Sequence, residues 1–159
     1  MIVALLLAVD FMNFTYATNP CASNVPVPVV MRKGSFSYFD PKMGSGFDLH
    51  VADVKRGVLQ DGRTYATVVV ACDFPVGGTA AAYLYAERNG TASFVAKVGN
   101  ADWGPDWAAG PDSIHITFAK KFLYVDQCKD NECALDVVET YAMRNGKLTT
   151  VYVETHKRS

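Results

Sequence analysis

Two six-residue stretches, residues 85–90 and 141–146, constrain the fold of this chain more than any other feature. They read Tyr-Ala-Glu-Arg-Asn-Gly and Tyr-Ala-Met-Arg-Asn-Gly, start 56 positions apart, and are both followed by alternating apolar and polar residues. Asn-Gly between such runs favours a tight hairpin turn, because the turn that matches strand twist needs positive φ at both central residues. Each stretch therefore predicts a corner between two antiparallel strands, with Tyr85 and Tyr141 packing on the sheet.

The other apolar runs extend this β prediction along the chain. Residues 64–72 form a continuous hydrophobic run, which favours a central strand buried on both faces. Residues 133–143 also fit helical spacing, but they enter an Arg-Asn-Gly turn as residues 80–87 do, which favours a strand. We predict a mainly β, single-domain antiparallel β-meander with little or no helix, arranged as a sandwich, an open barrel or a propeller-like blade. Loops are predicted at residues 56–63, 74–79 and 99–111.

Length and charge bound the class of protein. A chain of 159 residues, of which 50% are hydrophobic and 19% charged, fits one globular domain with its own core. Its net charge of −1 leaves no basic surface for nucleic acid. We therefore expect a partner other than nucleic acid.

The N-terminus predicts export. Residues 2–9 form an apolar run, and Thr15 and Ala17 place small residues at both positions that a signal peptidase reads. We predict a signal peptide over residues 1–17, an extended surface lead-in over residues 18–28, and one β domain over residues 29–159. The run is shorter than the about 20 apolar residues of a membrane span, so no integral membrane segment is expected after signal removal. The alternative for the run is a buried first strand.

The four cysteines, Cys21, Cys72, Cys128 and Cys133, indicate an oxidising compartment. Three pairings are possible, and Cys128–Cys133 is favoured because the polar residues 129–132 form a turn that holds both cysteines close. Cys21 then pairs with Cys72. Zinc is disfavoured, because the only close spacing is Cys-x4-Cys. Leader and cysteines together predict a secreted or periplasmic protein.

Residues 53–71 carry a resemblance to a known family. An outward-facing strand, a loop ending in Asp61-Gly62 and a hydrophobic strand follow one another there. Over residues 47–154 the chain resembles small secreted or lipid-anchored bacterial proteins with a β-meander similar to FG-GAP or VCBS repeats, which implies a place in a bacterial cell envelope. Such loops often hold calcium, but Gly57 and Leu59 stand here where two of the oxygen ligands belong. A hard cation takes about six to eight oxygens, so no metal is expected.

The loop predicted at residues 99–111 carries the candidate binding residues. Asp102, Trp103, Asp106 and Trp107 place two indoles beside two carboxylates. Aromatic rings stack on sugar rings and anchor protein interfaces, and carboxylates accept hydrogen bonds from hydroxyls. We therefore predict an unknown glycan or protein ligand at this loop of a monomer. The alternative is that both indoles fold back and cap the open end of the meander.

The sequence contains no recognisable catalytic constellation. Asp48 and His50 share one face of a predicted strand, and Ser113 and His115 share a face of another, but neither pair has the context of a known motif. We predict a binding or envelope-structural module that is not an enzyme, with no cofactor and no catalytic residue. The alternatives are a small secreted hydrolase or metal-dependent enzyme that uses the Asp48/His50 face, and an inhibitor of a secreted enzyme that presents residues 73–79 or the tryptophan loop.

Overall fold

Eleven β-strands in three antiparallel sheets make up nearly all regular structure of the described residues. The computed structural model describes residues 8–21, 25–103, 110, 113–128 and 133–157. The strands in chain order are β1 (Thr15–Tyr16), β2 (Val29–Val30), β3 (Ser35–Asp40), β4 (Ser45–Val58), β5 (Thr64–Phe74), β6 (Gly77–Arg88), β7 (Thr91–Trp103), β8 (Ile114–Ala119), β9 (Phe122–Cys128), β10 (Leu135–Arg144) and β11 (Lys147–Lys157). Within these ranges a 3-10 turn is formed by Phe11–Asn13. The mainly β, antiparallel prediction is confirmed.

The two Asn-Gly corners form the predicted hairpins. β6 and β7 join at Asn89-Gly90, and β10 and β11 join at Asn145-Gly146. The two asparagines have φ values of 51° and 50°, and the two glycines have φ values of 77° and 74°. Positive φ at both central residues defines the turn that matches strand twist, so Asn-Gly sets the register of both hairpins.

Two of the sheets pack face to face as a sandwich. β3 to β7 form a five-stranded sheet in sequential order, and β8 to β11 form a four-stranded sheet. β5 is buried on both faces from Tyr65 to Cys72, as its continuous hydrophobic run predicts. The buried side chains shared between the two sheets are Leu59, Tyr65, Val69, Ala71, Ala80, Ala82, Leu84, Val98, Ala101, Ile114, Ile116, Leu123, Val125 and Met143.

The other face of the five-stranded sheet is covered by residues 8–21 and 25–31, here named the N-terminal cover. Its short strands β1 and β2 pair with each other, and Phe11, Tyr16 and Met31 are almost completely buried. The Phe11 ring packs on Tyr85 with centroids 5.3 Å apart. The Tyr16 hydroxyl donates a hydrogen bond of 2.7 Å to the Phe11 carbonyl. Both faces of the central sheet are therefore buried along much of their length.

The N-terminal cover includes residues that the sequence assigned to a leader and a lead-in. Residues 1–7 of the predicted signal peptide, and residues 22–24 of the lead-in, lie outside the described residues. Phe11 and Tyr16 belong to the core, so cleavage after Ala17 would remove them from it. Val25, which was expected on the surface, is 3% exposed.

The structure contains two disulfides, with the pairing favoured from the sequence. Cys21–Cys72 joins the N-terminal cover to β5 across 51 positions of sequence. Cys128–Cys133 links the end of β9 to the residues that precede β10, across 5 positions. The first bond holds the cover on the sheet, and the second fixes the exit of one hairpin relative to the next strand.

Three predicted loops are shorter in the structure than the sequence indicated. β5 and β6 turn at Pro75-Val76 alone, β4 continues to Val58, and β7 continues to Trp103. The loops predicted over residues 74–79, 56–63 and 99–111 are therefore wrong in extent. Pairing with a neighbouring strand overrides the local preference of glycine for turns, since strand preference depends on tertiary context. Residues 133–143 were expected to form a strand, and β10 confirms this from Leu135 onward.

A buried polar network fixes the two sheets relative to each other. Gln127 in β9 is 2% exposed; its Oε1 accepts a hydrogen bond of 3.0 Å from the Asn100 amide, and its Nε2 donates one of 2.8 Å to Glu139. The Tyr141 hydroxyl donates to the same carboxylate at 3.1 Å. Burial, together with the charge and hydrogen bond of Glu139, raises the pKa of Tyr141 to about 12. Because unpaired buried polar groups are costly, the network disfavours sliding of one sheet over the other.

Candidate ligand-binding face

Trp103, the last residue of β7, lies over Gly78 of β6. The two residues are register partners, and a side chain at Gly78 would collide with the indole ring. The indole also packs against the disulfide between Cys128 and Cys133, and it is partly exposed. Glycine is needed at position 78 because the indole occupies the space of a Cβ. The ring is therefore held on the sheet surface by backbone below and a disulfide beside it.

Trp103 ends a row of residues that crosses the whole five-stranded sheet. In register, Ser37 opposes Asp48, Asp48 opposes Asp73, Asp73 opposes Gly78, and Gly78 opposes Trp103. Opposed residues of antiparallel strands point to the same side, so the row lies on one face. With strands about 4.8 Å apart, the row is about 19 Å long. The set Ser37, Asp48, His50, Asp73 and Trp103 is here named the binding face.

The binding face lies beyond the end of the packed four-stranded sheet. Ala71 and Ala80 follow the row by one step on the same side of β5 and β6, and both belong to the core shared by the two sheets. Asp48 is exposed, and Asp73 keeps 48% of its side-chain surface accessible. On this face, side chains are therefore buried at Ala71 and Ala80 and exposed two residues further along at the polar row. The polar row is thus open to a ligand.

One close contact and one hydrogen bond position the polar side chains of the binding face. His50 Nδ1 lies 3.2 Å from Asp73 Oδ2, and the Ser37 hydroxyl donates a hydrogen bond of 2.6 Å to Asp48 Oδ1. Within the described residues, the second oxygen of each carboxylate makes no hydrogen bond. The face therefore combines an anchored indole, an imidazole and two carboxylate oxygens that can accept hydrogen bonds from a ligand.

Asp48 and Asp73 oppose each other directly across β4 and β5. Like charges in this position destabilise a sheet by roughly 0.2–1 kcal/mol. His50 and Ser37 offset part of that cost, because each contacts one of the two carboxylates. A local arrangement that sacrifices stability is typical of functional positions.

The structure separates the residues predicted at the tryptophan loop. Trp103 belongs to the binding face, whereas Asp102 points to the opposite side of β7, where it opposes Thr79. Neighbours in a strand alternate between faces, so Asp102 and Trp103 do not face the same ligand. Asp106 and Trp107 lie outside the described residues.

The Asp48/His50 pair, predicted as the basis of an alternative function, belongs to the binding face, where Asp73 and Gly78 lie between Asp48 and Trp103. Sequence reasoning missed Asp73, the residue that pairs with His50. Its position depends on the register of β4 against β5, which shifts between Val51 and Asp53 through an irregularity. The sequence signal for Asp73 was its place as the polar residue directly after the hydrophobic run of β5. That signal identifies the contact with His50 only when β4 is known to pair with β5.

The remaining histidines lie apart from the binding face. His115 is exposed on the outer side of the four-stranded sheet and opposes Asp126. Ser113, expected to share a face with His115, is buried and donates a hydrogen bond of 2.6 Å to the Gly110 carbonyl. His156 Nε2 lies 3.4 Å from Glu154 on the exposed strand β11.

The Asp61-Gly62 loop uses its carboxylate internally. Asp61 Oδ1 accepts a hydrogen bond of 3.1 Å from the Arg63 amide, and Oδ2 accepts one of 2.7 Å from the Tyr65 hydroxyl. Burial, together with the hydrogen bond and charge of Asp61, raises the pKa of Tyr65 to about 12. Across the described ranges, no three His, Cys, Asp or Glu side chains converge as a metal site.

Comparisons with known proteins return no match, whether against family models, curated proteins or solved structures. The resemblance to FG-GAP or VCBS repeats therefore stays a prediction. In the part of the chain that the structure describes, no helix has the length and apolar character needed to cross a membrane. Assignment of function thus depends on the geometry of the binding face.

Proposed function

We propose that this protein is an exported, disulfide-stabilised β-sandwich that binds a saccharide on the binding face. The observation that carries the proposal is the indole of Trp103 held over Gly78 in line with Asp73 and Asp48. An aromatic ring held on the surface of a sheet offers a contact for the apolar face of a sugar ring. The carboxylates beside it accept hydrogen bonds from sugar hydroxyls.

The dimensions of the binding face fit a short oligosaccharide. A row of about 19 Å, from Ser37 on β3 to Trp103 on β7, exceeds the length of a single sugar ring. Asp73 sits next to the glycine that carries the indole, so a ring stacked on Trp103 would place its hydroxyls toward Asp73 and His50. The ligand class is therefore a neutral or amino sugar, since two carboxylates would repel an acidic one.

Export is supported by the disulfides. Two disulfides within a chain of this size are typical of secreted and periplasmic domains, because cytosolic thiols are kept reduced. We place the protein in a bacterial cell envelope or outside the cell.

Binding is tested with Asp48→Asn, read against a matched variant. Asparagine keeps the size of Asp48 and still accepts the Ser37 hydrogen bond, while it removes the charge opposed to Asp73. We expect unchanged or slightly higher stability and at least tenfold weaker binding in titration calorimetry with oligosaccharides and peptidoglycan fragments. The control is Asp53→Asn on the same strand, whose carboxylate forms an ion pair of 3.5 Å with Lys55.

Fluorescence locates the binding event on the indole itself. The chain has two tryptophans, so Trp107→Phe leaves Trp103 as the sole reporter. Saccharide stacking is expected to shift the emission of Trp103 and to protect it from quenching by acrylamide. Saccharide binding that affects Asp48→Asn and Asp53→Asn equally, or that leaves Trp103 emission unchanged, would overturn this assignment.

The hydrolase alternative depends on the same residues. His50 oriented by Asp73 has the arrangement of a general base and its positioning group. Ser37, the hydroxyl nearest along the row, donates instead to Asp48, which favours binding over nucleophilic attack. Release of reducing sugar during the titrations would favour hydrolysis, and capture of a secreted hydrolase by the protein would favour an inhibitor.

A further inference from the structure

A hollow lies next to the Asn89-Gly90 turn, at the end of the central sheet opposite to the binding face. It has a volume of about 460 Å³, and its lining includes Arg63, Thr64, Arg88, Thr91 and Ser93. Gly78 and Arg88 are ten positions apart on β6, which corresponds to about 34 Å along a strand. The hollow is therefore independent of the binding face.

The lining of this hollow is rich in hydrogen-bond donors. Two guanidinium groups flank three hydroxyls, and a guanidinium presents parallel N–H donors that match two oxygens of one oxyanion. Arg88 and Thr91 are register partners on either side of the tight turn, and the Thr91 hydroxyl donates a hydrogen bond of 2.7 Å to the Arg88 carbonyl. The turn therefore fixes where the backbones of these two residues lie.

The charges around the hollow leave one arginine uncompensated. Glu87, which also lines it, lies 3.0 Å from Arg56 and accepts a hydrogen bond from the Val9 amide. Arg63 lies 3.7 Å from Asp61 in an exposed contact. Arg88 is exposed and forms no ion pair with any residue that the structure describes. The neighbouring carboxylates thus already have partners, while Arg88 has its donors available.

We propose that this hollow binds a tetrahedral oxyanion, a phosphate or sulfate group. Arg88 would hold two of its oxygens, Arg63 would approach from the residues that precede β5, and the Ser93 hydroxyl would donate to another oxygen. Such a group occurs as the free ion or as an ester on a saccharide. The chemistry that recognises it is the same in both cases.

The test uses the full chain with inorganic phosphate and sulfate as probes, followed by amide NMR shifts around residues 88–93. Arg88→Gln is expected to weaken binding by about tenfold or more, because it removes a charge-assisted bidentate contact. Arg88→Lys keeps the charge but not the parallel N–H donors of the guanidinium, so an intermediate loss of affinity is expected. Arg63→Gln provides a second, independent variant in case Arg88→Gln lowers expression.

The matched control is Arg32→Gln, which removes another exposed arginine, outside the hollow. Equal effects of Arg32→Gln and Arg88→Gln, or competition by chloride at the same concentration as phosphate, would show general charge attraction and overturn the proposal. A sulfated oligosaccharide that binds more tightly than free sulfate, with the same loss in Arg88→Gln, would identify an ester as the source. Asp48→Asn should leave oxyanion binding unchanged, so failure of either proposed site is distinguishable from failure of the other.

Discussion

Removal of the N-terminal cover up to Ala17 should unfold or strongly destabilise the domain. A chain that begins at Thr18 lacks Phe11 and Tyr16, which are 2% and 1% exposed and pack with Tyr85 in one aromatic cluster. It also lacks the Val9 carbonyl that accepts a hydrogen bond from Arg56 at 2.6 Å. This is the same product that a signal peptidase would release by cleavage after Ala17.

The size of the effect follows from the two buried rings. Truncation of a buried aromatic side chain costs about 3–5 kcal/mol, and about 6–10 kcal/mol is the upper range for both, because Phe11 and Tyr16 share the partner Tyr85 and effects of neighbours do not simply add. The total stability of a domain is about 5–15 kcal/mol. The single variant Phe11→Ala should lower the urea midpoint by about 2 M, for a slope of about 2 kcal/mol per M.

Urea unfolding followed by far-UV circular dichroism measures both effects. The matched control is a chain that begins at Ala8, which keeps every contact of the N-terminal cover described above. We expect the Ala8 chain to unfold cooperatively and the Thr18 chain to show little native signal. Equal midpoints for the two chains would refute the reasoning and would show that the cover contributes nothing to the stability of the sandwich.

Two further predictions concern the disulfides and the tyrosines. Replacing Cys21 and Cys72 with serine should lower the free energy of unfolding by about 4 kcal/mol in the chain-entropy model, against about 2 kcal/mol for Cys128 and Cys133. The first bond costs more because it closes a loop across 51 positions and the second closes one across 5. Equal losses in denaturant midpoint would contradict this order. Stability should also fall as pH rises from about 10 toward about 12, since Tyr65 and Tyr141 release their protons near 10 when unfolded but only near 12 when folded. Urea midpoints at pH 8 to 12 measure this loss, which Tyr141→Phe should reduce; an unchanged slope in that variant would exclude Tyr141 as a contributor.

Local turn chemistry explains which parts of the fold were predictable from the sequence. Asn-Gly specified two hairpins, and the Cys-x4-Cys spacing favoured the Cys128–Cys133 pair, because each feature acts between residues close in sequence. The two Tyr-containing stretches share their turn chemistry, but they lie in different surroundings. Tyr85 packs under the N-terminal cover, whereas Tyr141 lies between the two sheets and bonds to Glu139.

Register across distant strands explains what the sequence could not predict. Trp103 was expected in a loop with Asp102, but strand pairing extends β7 and turns the two side chains to opposite faces. Asp73 joins His50 only because β4 and β5 pair with a shift after Val51. Neither relation leaves a periodic signal in the chain, since both depend on which strand lies beside which.

The two layers that bury the central sheet come from opposite ends of the chain. Residues of the N-terminal cover are synthesised before the sheet, whereas β8 to β11 are synthesised after it. As the polypeptide emerges from a ribosome or a translocon, one face of the sheet is covered at once. The other, with Leu84 and Val98, waits for about fifty more residues, and exposed apolar sheets of this kind aggregate readily. Slow or interrupted synthesis beyond Trp103 would therefore leave an aggregation-prone intermediate. Binding of chaperones to the nascent chain should be greatest at that point.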